Sequence, residues 1–225
     1  AKGLVSAEGF ALKKALVRDP DSDKASMLKT LGWTVEKVPP FDDPKQLSSA
    51  LADAHTIVST LSGNDLAKIE TAVVEATAKT ASIFVPSQFG ADFRRWGTFP
   101  LLAAKKTVLE AAEKAGLPTL CVFVGYFSDF IFGYLADPTH AKGRIIGDGS
   151  ARLSFTRRSD IGFVLAKALV DPEYANGGFI SIEGDNKSWK EALDILGNVL
   201  GKTIEIETSL DSIPSAPSMA NDERV

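Results

Sequence analysis

Lys105 is the residue in this sequence that most needs a chemical reason. The stretch Leu101 to Ala115 has helical period, and at about 100° per residue Leu101, Leu102, Val108, Leu109 and Ala112 all lie within roughly 60° of Lys105. Lys106, Glu110, Glu113 and Lys114 take the opposite arc. A lysine in the middle of an apolar stripe is costly to bury unpaired. It either works with a depressed pKa or carries its ammonium to the helix edge on its alkyl stem, and periodicity leaves both readings open. Arg18 is the second candidate, because it closes the strand-like run Phe10 to Val17 and begins the turn Arg18-Asp19-Pro20. A guanidinium there offers a planar fork suited to a phosphate, with Lys24 as a second positive charge, although Arg-Asp-Pro is also an ordinary surface turn.

Other reactive types are poorly placed for chemistry. Cys121 sits inside the apolar run Leu120 to Val124 and reads as a small buried thiol. His55 enters a strand, His140 follows Pro138 in a loop, and no His/Cys/Asp spacing suits a metal ion.

The scaffold that must position these residues is an alternation of short apolar runs and helical segments. Ala1 to Ser6 reads as a helix tail, Asp23 to Leu31 as a helix, Thr34 to Val38 as a strand and Asp43 to Ala52 as an acid-capped helix with Pro44 just inside. His55 to Leu61 follows as a strand, Asn64 to Thr80 as a helix, Ser82 to Pro86 as a strand, Leu101 to Ala115 as a helix closed by Gly116, and Leu120 to Val124 as a strand. After Tyr126 aromatics crowd together and a Gly147-Asp148-Gly149 turn leads to a strand at Leu153 to Thr156. Asp160 to Val170 reads as a helix capped by Ser159 or Asp160, and Phe179 to Glu183 as a strand. Ser188 to Leu200 reads as a helix with a Ser188/Glu191 capping box, and Thr203 to Thr208 as an edge strand.

This pattern specifies an α/β fold, a doubly wound parallel sheet of the Rossmann type with a small C-terminal substrate-side region. It opens on a helix, so the central first strand and its glycine-rich phosphate loop are missing from this sequence. The expected order is 3-2-1-4-5, with Val58, Phe84 and Val122 buried on central strands. Residues 1–126 are expected to form an N-terminally incomplete NAD(P)-binding domain. Residues 127–225 form a substrate-side region interleaved with the last Rossmann elements, and the Ser- and Pro-rich tail from Ser209 reads as disordered or as a C-terminally incomplete piece. In such a sheet Arg18 lies where the adenosine ribose binds, and a guanidinium there favours a 2′-phosphate, hence NADP over NAD.

At 225 residues with 44% hydrophobic content, the chain is long enough for one large core. A net charge of −4 gives no reason to expect nucleic acid or an anionic membrane as partner. No apolar stretch approaches the roughly 20 residues of a membrane helix and no signal segment opens the chain, so a cytoplasmic protein is expected.

Several spaced motifs carry a resemblance. The stretch FVPSQFGADFRRW at Phe84 to Trp96, the later AAKKTVLEAAEKAGLPTL, LVRDP around Arg18, IVSTLSG, the GDG turn, LSFT and DIG all recur in order. Together they resemble the NmrA-like and isoflavone-reductase-like group of atypical short-chain dehydrogenases, in which a P-S-E/Q-F-G strand end precedes a helix bearing one lysine. The resemblance implies NADP(H) as cofactor, with Arg18 and Lys24 at the 2′-phosphate. It also places Thr60 and Leu61 beside the cofactor, Ser87, Gln88 and Phe89 near the nicotinamide ribose, and Lys105 near the nicotinamide as the catalytic residue. Gly125, Tyr126 and Phe127 would wall the nicotinamide and substrate pocket, with Phe130 behind them. The tyrosine-x-x-x-lysine pair of ordinary short-chain dehydrogenases is absent, since Leu101 stands four residues before Lys105. Two functions follow: an NADPH-dependent oxidoreductase acting on a small aromatic or conjugated carbonyl-type substrate, or a non-catalytic NAD(P)-binding redox sensor acting through a protein partner.

Overall fold

The computed structural model describes residues 2–5, 9–94, 100–129, 136–137 and 139–209. Its first half follows the alternation read from the sequence: α1 (Lys2–Val5), β1 (Lys14–Val17), α2 (Asp23–Thr30), β2 (Thr34–Lys37), α3 (Pro44–Ala50), β3 (Thr56–Val58), α4 (Leu66–Thr77), β4 (Ile83–Val85), α5 (Pro100–Ala115) and β5 (Leu120–Phe123). The second half contains β6 (Tyr126–Phe127), β7 (Ala136–Asp137), β8 (Lys142–Ile146), β9 (Arg152–Thr156), α6 (Arg158–Ala168), a 3-10 turn (Pro172–Tyr174), β10 (Gly178–Ser181), β11 (Asp185–Ser188), α7 (Trp189–Leu200) and β12 (Glu205–Ser209). Phe130 and the tail residues 210–225 lie outside the described residues.

Several boundaries differ from expectation for local reasons. β1 starts at Lys14 rather than Phe10 because its partner β2 offers only Thr34–Lys37 for pairing. α6 begins at Arg158, so Ser159 and Asp160 lie inside its first turn rather than capping it. β11 has the sequence DNKS, with no apolar alternation to reveal it, and is recruited into a ladder by antiparallel pairing with β9.

The chain divides into two compact units, taken over their described residues: Ala1–Phe123 with Ser159–Ile180, and Val124–Arg158 with Ser181–Val225. In the first, β1 pairs with β2 and β3 with β4, both in parallel. β4 reaches β5 through the Phe84/Thr119 bridge, and β5 pairs with β10. Among the described residues no ladder joins β1 to β3, so the expected order appears as two runs. Phe84 and Val122 are fully buried as expected, at 0% exposure each. Val58 is only half-buried, because β3 has a ladder partner on one edge alone among the described residues.

The core of this unit joins Leu47 of α3, Val73 and Val74 of α4, and Val108 and Ala112 of α5 to Ile57 and Phe84. Burying a side chain such as Phe84 stabilises by about 2–3 kcal/mol. α3 starts as its sequence requires: the Asp43 carboxylate accepts from the N–H groups of Lys45 and Gln46, and Pro44 needs no partner there. In the second unit β6-β9-β11 and β7-β8-β12 form two small sheets, and Ile145, Phe155, Trp189, Ala192 and Leu193 make the core. α7 opens with the expected capping box, Glu191 N–H donating to Ser188 Oγ at 3.2 Å and Ser188 N–H to Glu191 Oε2 at 2.7 Å. Among the described residues no helix is long and apolar enough to cross a membrane.

The junction of β10 with β5 depends on one glycine. Gly177 has φ +81°, and a Cβ there would stand 2.2 Å from the Thr119 carbonyl oxygen. That oxygen accepts from Gly178 N–H at 2.8 Å, so backbone approaches backbone with no room for a side chain. Gly177→Ala is therefore expected to lower the unfolding free energy by about 2–4 kcal/mol. Urea denaturation checks this, and an unchanged midpoint would contradict it.

Candidate functional site

The site is built where two helices each place one ionisable residue on their apolar stripe. On α4, Leu66, Glu70, Val73, Val74 and Thr77 are all buried, and at helical period they fall within an arc of about 100°. Glu70 is mid-arc and 0% exposed. On the neighbouring α5, Val108 and Ala112 are fully buried, Lys105 is partly buried on the same side, and Lys106 and Glu110 pair in solvent at 3.5 Å. Thr77 satisfies its own hydroxyl by donating to the Val73 carbonyl at 2.7 Å; Glu70, two turns earlier, finds its hydrogen-bond partner outside α4, in the Ser87 N–H.

Those partners come from the segment that leaves β4. Ser87 N–H donates to Glu70 Oε1 at 2.7 Å, and the Gln88 side-chain amide donates through Nε2 to the Lys105 carbonyl at 3.1 Å. Gln88 is also 0% exposed. One tight turn, closed by Gln88 N–H on the Pro86 carbonyl at 2.7 Å, thus ties α4 to α5. Glu70 Oε2 and Gln88 Oε1 are buried without hydrogen-bond partners. Gly90 lies beside the Lys105 ammonium: a Cβ there would lie 3.8 Å from Nζ.

Burial governs the electrostatics. It pushes the Glu70 carboxyl above the usual carboxylate range, while the nearby Ser59 hydroxyl, the Ser87 N–H and the positive charge of Lys105 pull it back; that hydroxyl leaves Oε2 without a closed hydrogen bond. Burial likewise pushes Lys105 below the ordinary lysine value, opposed first by Glu70 and then by Cys121. The Cys121 thiol is pushed up to about 12, chiefly by burial, so it stays protonated at neutral pH and is no nucleophile. Beyond Cys121, the Arg94 guanidinium donates to both oxygens of Asp92, at 2.9 and 2.7 Å, and lies 4.2 Å from the centre of the Phe179 ring. An acid that resists ionisation beside a lysine that resists protonation is an arrangement able to hold or hand over a proton.

The other sequence candidates are placed as follows. Thr60 and Leu61 follow β3, and Ser87, Gln88 and Phe89 follow β4; these strands run in parallel, so both groups emerge at one sheet edge. Arg18 is exposed directly after β1 and, among the described residues, makes no ion pair or side-chain hydrogen bond; Lys24 is exposed in the first turn of α2. Gly125, Tyr126 and Phe127 belong to the second unit. There Gly125 has φ +66°, and a Cβ on it would meet the Ser154 carbonyl oxygen at 2.3 Å. Phe127 pairs with Thr156, whose hydroxyl donates to the Val124 carbonyl at 2.8 Å, and burial raises the Tyr126 hydroxyl above its usual value. Glu70 is the site residue that the sequence reading passed over, although the helical count that singled out Lys105 also singles out Glu70. Among the described residues no group of His, Cys, Asp and Glu could hold a metal ion.

Comparison with known proteins agrees with this architecture. The chain is 30% identical over 211 residues to the isoflavone reductase homolog IRL of Zea mays, covering 86% of this chain and 68% of that protein. It is 30% identical over 175 residues to eugenol synthase 1 of Petunia hybrida, covering 72% of this chain and 56% of that one. The chain therefore spans only part of these relatives. The structure of AtPrR2 with NADP+ and (+)-pinoresinol superimposes with a TM-score of 0.74 at 24% identity, over 92% of this chain and 74% of that one. The profile of the NmrA-like family matches residues 4–214, and on that match, over nearly the whole sequence, the chain belongs to the NmrA-like family.

Proposed function

We propose that this chain binds NADP(H) and reduces a small aromatic or conjugated carbonyl-type substrate. The observation that carries the reading is the partly buried Lys105, within electrostatic reach of the buried Glu70 and tied through its backbone carbonyl to the strand edge by Gln88. A lysine kept there for structure alone would cost stability that methionine or leucine would not. The relatives support the reaction class, being an isoflavone reductase homolog and a eugenol synthase.

The residues present fit the cofactor. Arg18, with no side-chain partner among the described residues, offers a free guanidinium at the carboxyl end of β1, and Lys24 adds a positive charge in the helix that follows. Thr60, Leu61, Ser87 and Phe89 would line the dinucleotide along the strand ends. When bound, NADPH supplies the hydride. Lys105 then stabilises the negative charge that develops on the substrate, or passes it a proton. Gly125, Tyr126, Phe127 and Phe130 are the substrate-side candidates carried by the family resemblance, and the protonated, buried Cys121 suits a reducing cytoplasm.

Two measurements with the full-length protein test this. NADPH is expected to bind more tightly than NADH, and Arg18→Ala to remove about 1.5–3 kcal/mol of that preference; equal affinities for both cofactors in the wild type would contradict it. With aromatic ketones, enones and quinones as substrates, Lys105→Met should keep NADPH binding while lowering turnover about 100-fold. A wild type that binds NADPH yet turns over none of them, while its affinity for a protein partner changes on binding, would favour the competing reading of a redox sensor.

A further inference from the structure

We propose that Glu70 is the positioning residue for Lys105, tying α4 to the Ser87–Gln88 turn and holding a negative charge opposite the Lys105 ammonium. The proposal rests on Lys105 being the acting group of the reading above.

Four observations carry it. Glu70 is 0% exposed on a helix face otherwise made of Leu66, Val73, Val74 and Thr77, a place where an apolar side chain would pack at lower cost. Its two oxygens are used unequally: Oε1 accepts from Ser87 N–H at 2.7 Å, while Oε2 is buried without a hydrogen bond. A residue needed only to fix the turn would use Oε1, and the second oxygen and the charge would be a pure cost. The next residue along the turn, Gln88, grips the Lys105 carbonyl at 3.1 Å, so Glu70 and Lys105 are held through one short connection. Finally, the ammonium lies close against Gly90, where a Cβ would stand 3.8 Å from Nζ.

Among the described residues, the charged and titratable groups around the pair are few. The charges that act on Lys105, among the described residues, are those of Glu70 on α4 and Cys121 on β5. Glu70 faces Lys105, with the Ser59 hydroxyl beside it, and Cys121 also faces Arg94, which is already committed to Asp92. With Cys121 protonated, Glu70 is, among the described residues, the anion left to hold the proton on Lys105. In the ionised pair Lys105 carries that proton, ready to meet charge developing on a substrate. When Lys105 gives it up, the pair retains one negative charge, on the carboxylate, and a proton from solvent restores the start.

The test is a titration of the protein without cofactor, followed by NMR of lysine labelled with 13C at Cε, with Lys105→Met assigning the Lys105 signal. Glu70→Gln keeps an oxygen for Ser87 N–H and removes the charge. In that variant the proton affinity of Lys105 should fall about ten-fold or more, and the alkaline limb of the turnover profile should move to lower pH with it. Glu70→Asp, which retains the charge, should restore most of both. A folded Glu70→Gln protein in which neither moves overturns the proposal. Should Glu70→Gln fail to fold, the reciprocal measurement decides. In Lys105→Met the Glu70 carboxyl should hold its proton about ten-fold more tightly, and an unmoved Glu70 overturns the proposal equally. The two readings fail separately: turnover unchanged in Lys105→Met removes Lys105 from the chemistry, whereas turnover lost there with unmoved titrations removes Glu70 alone.

Discussion

A carboxyl and an ammonium placed on the apolar faces of two packed helices set the terms for the rest of the first unit. Neither Glu70 nor Lys105 is stable there alone, since burial works against the charged form of each. Their mutual attraction, the Ser87 N–H and the Gln88 amide offset that cost only if α4, α5 and the turn after β4 keep their geometry. The hydrophobic contacts of Val73, Val74, Val108, Ala112 and Phe84 supply that rigidity. Packing fixes the helices, the helices fix the charges, and the charges face the segment that leaves the sheet edge.

The paired strands β3 and β4 give this arrangement its direction. Because they run in parallel, Thr60 to Leu61 and Ser87 to Phe89 leave the sheet on one side, where open α/β sheets place their ligands. The orphaned acceptors Glu70 Oε2 and Gln88 Oε1 sit beside that segment, the kind of unsatisfied buried group that natural proteins keep at places where something must bind or move.

Much of this was legible in the sequence, and the exceptions have physical causes. Local signals survived: Pro44 inside an Asp43 cap, the Ser188/Glu191 box and the period of α5 each appear where the residue types demand them. Elements made by pairing rather than by propensity did not. β11 is a polar tetrapeptide that becomes a strand because β9 accepts it, and β6 and β7 are two residues each. Lys105 was visible because a charge broke an apolar stripe; Glu70 broke another in the same way. What periodicity cannot supply is the distance between stripes, so the partnership of the two residues became readable only once the helices were packed. The full burial of Gln88 was equally hidden, because nothing in PSQFG indicates which side of the turn the amide takes.

The claim that Glu70 and Lys105 stabilise each other across the helix interface is tested most directly by a double-mutant cycle on folding stability. Unfolding free energies of the wild type, Glu70→Gln, Lys105→Met and the double variant give the coupling between them. If the pair is the central constraint, each single change strands its partner, and the double variant loses about 1–3 kcal/mol less than the sum of the two singles. Effects that add to within about 0.5 kcal/mol would show two independent buried residues and contradict the account.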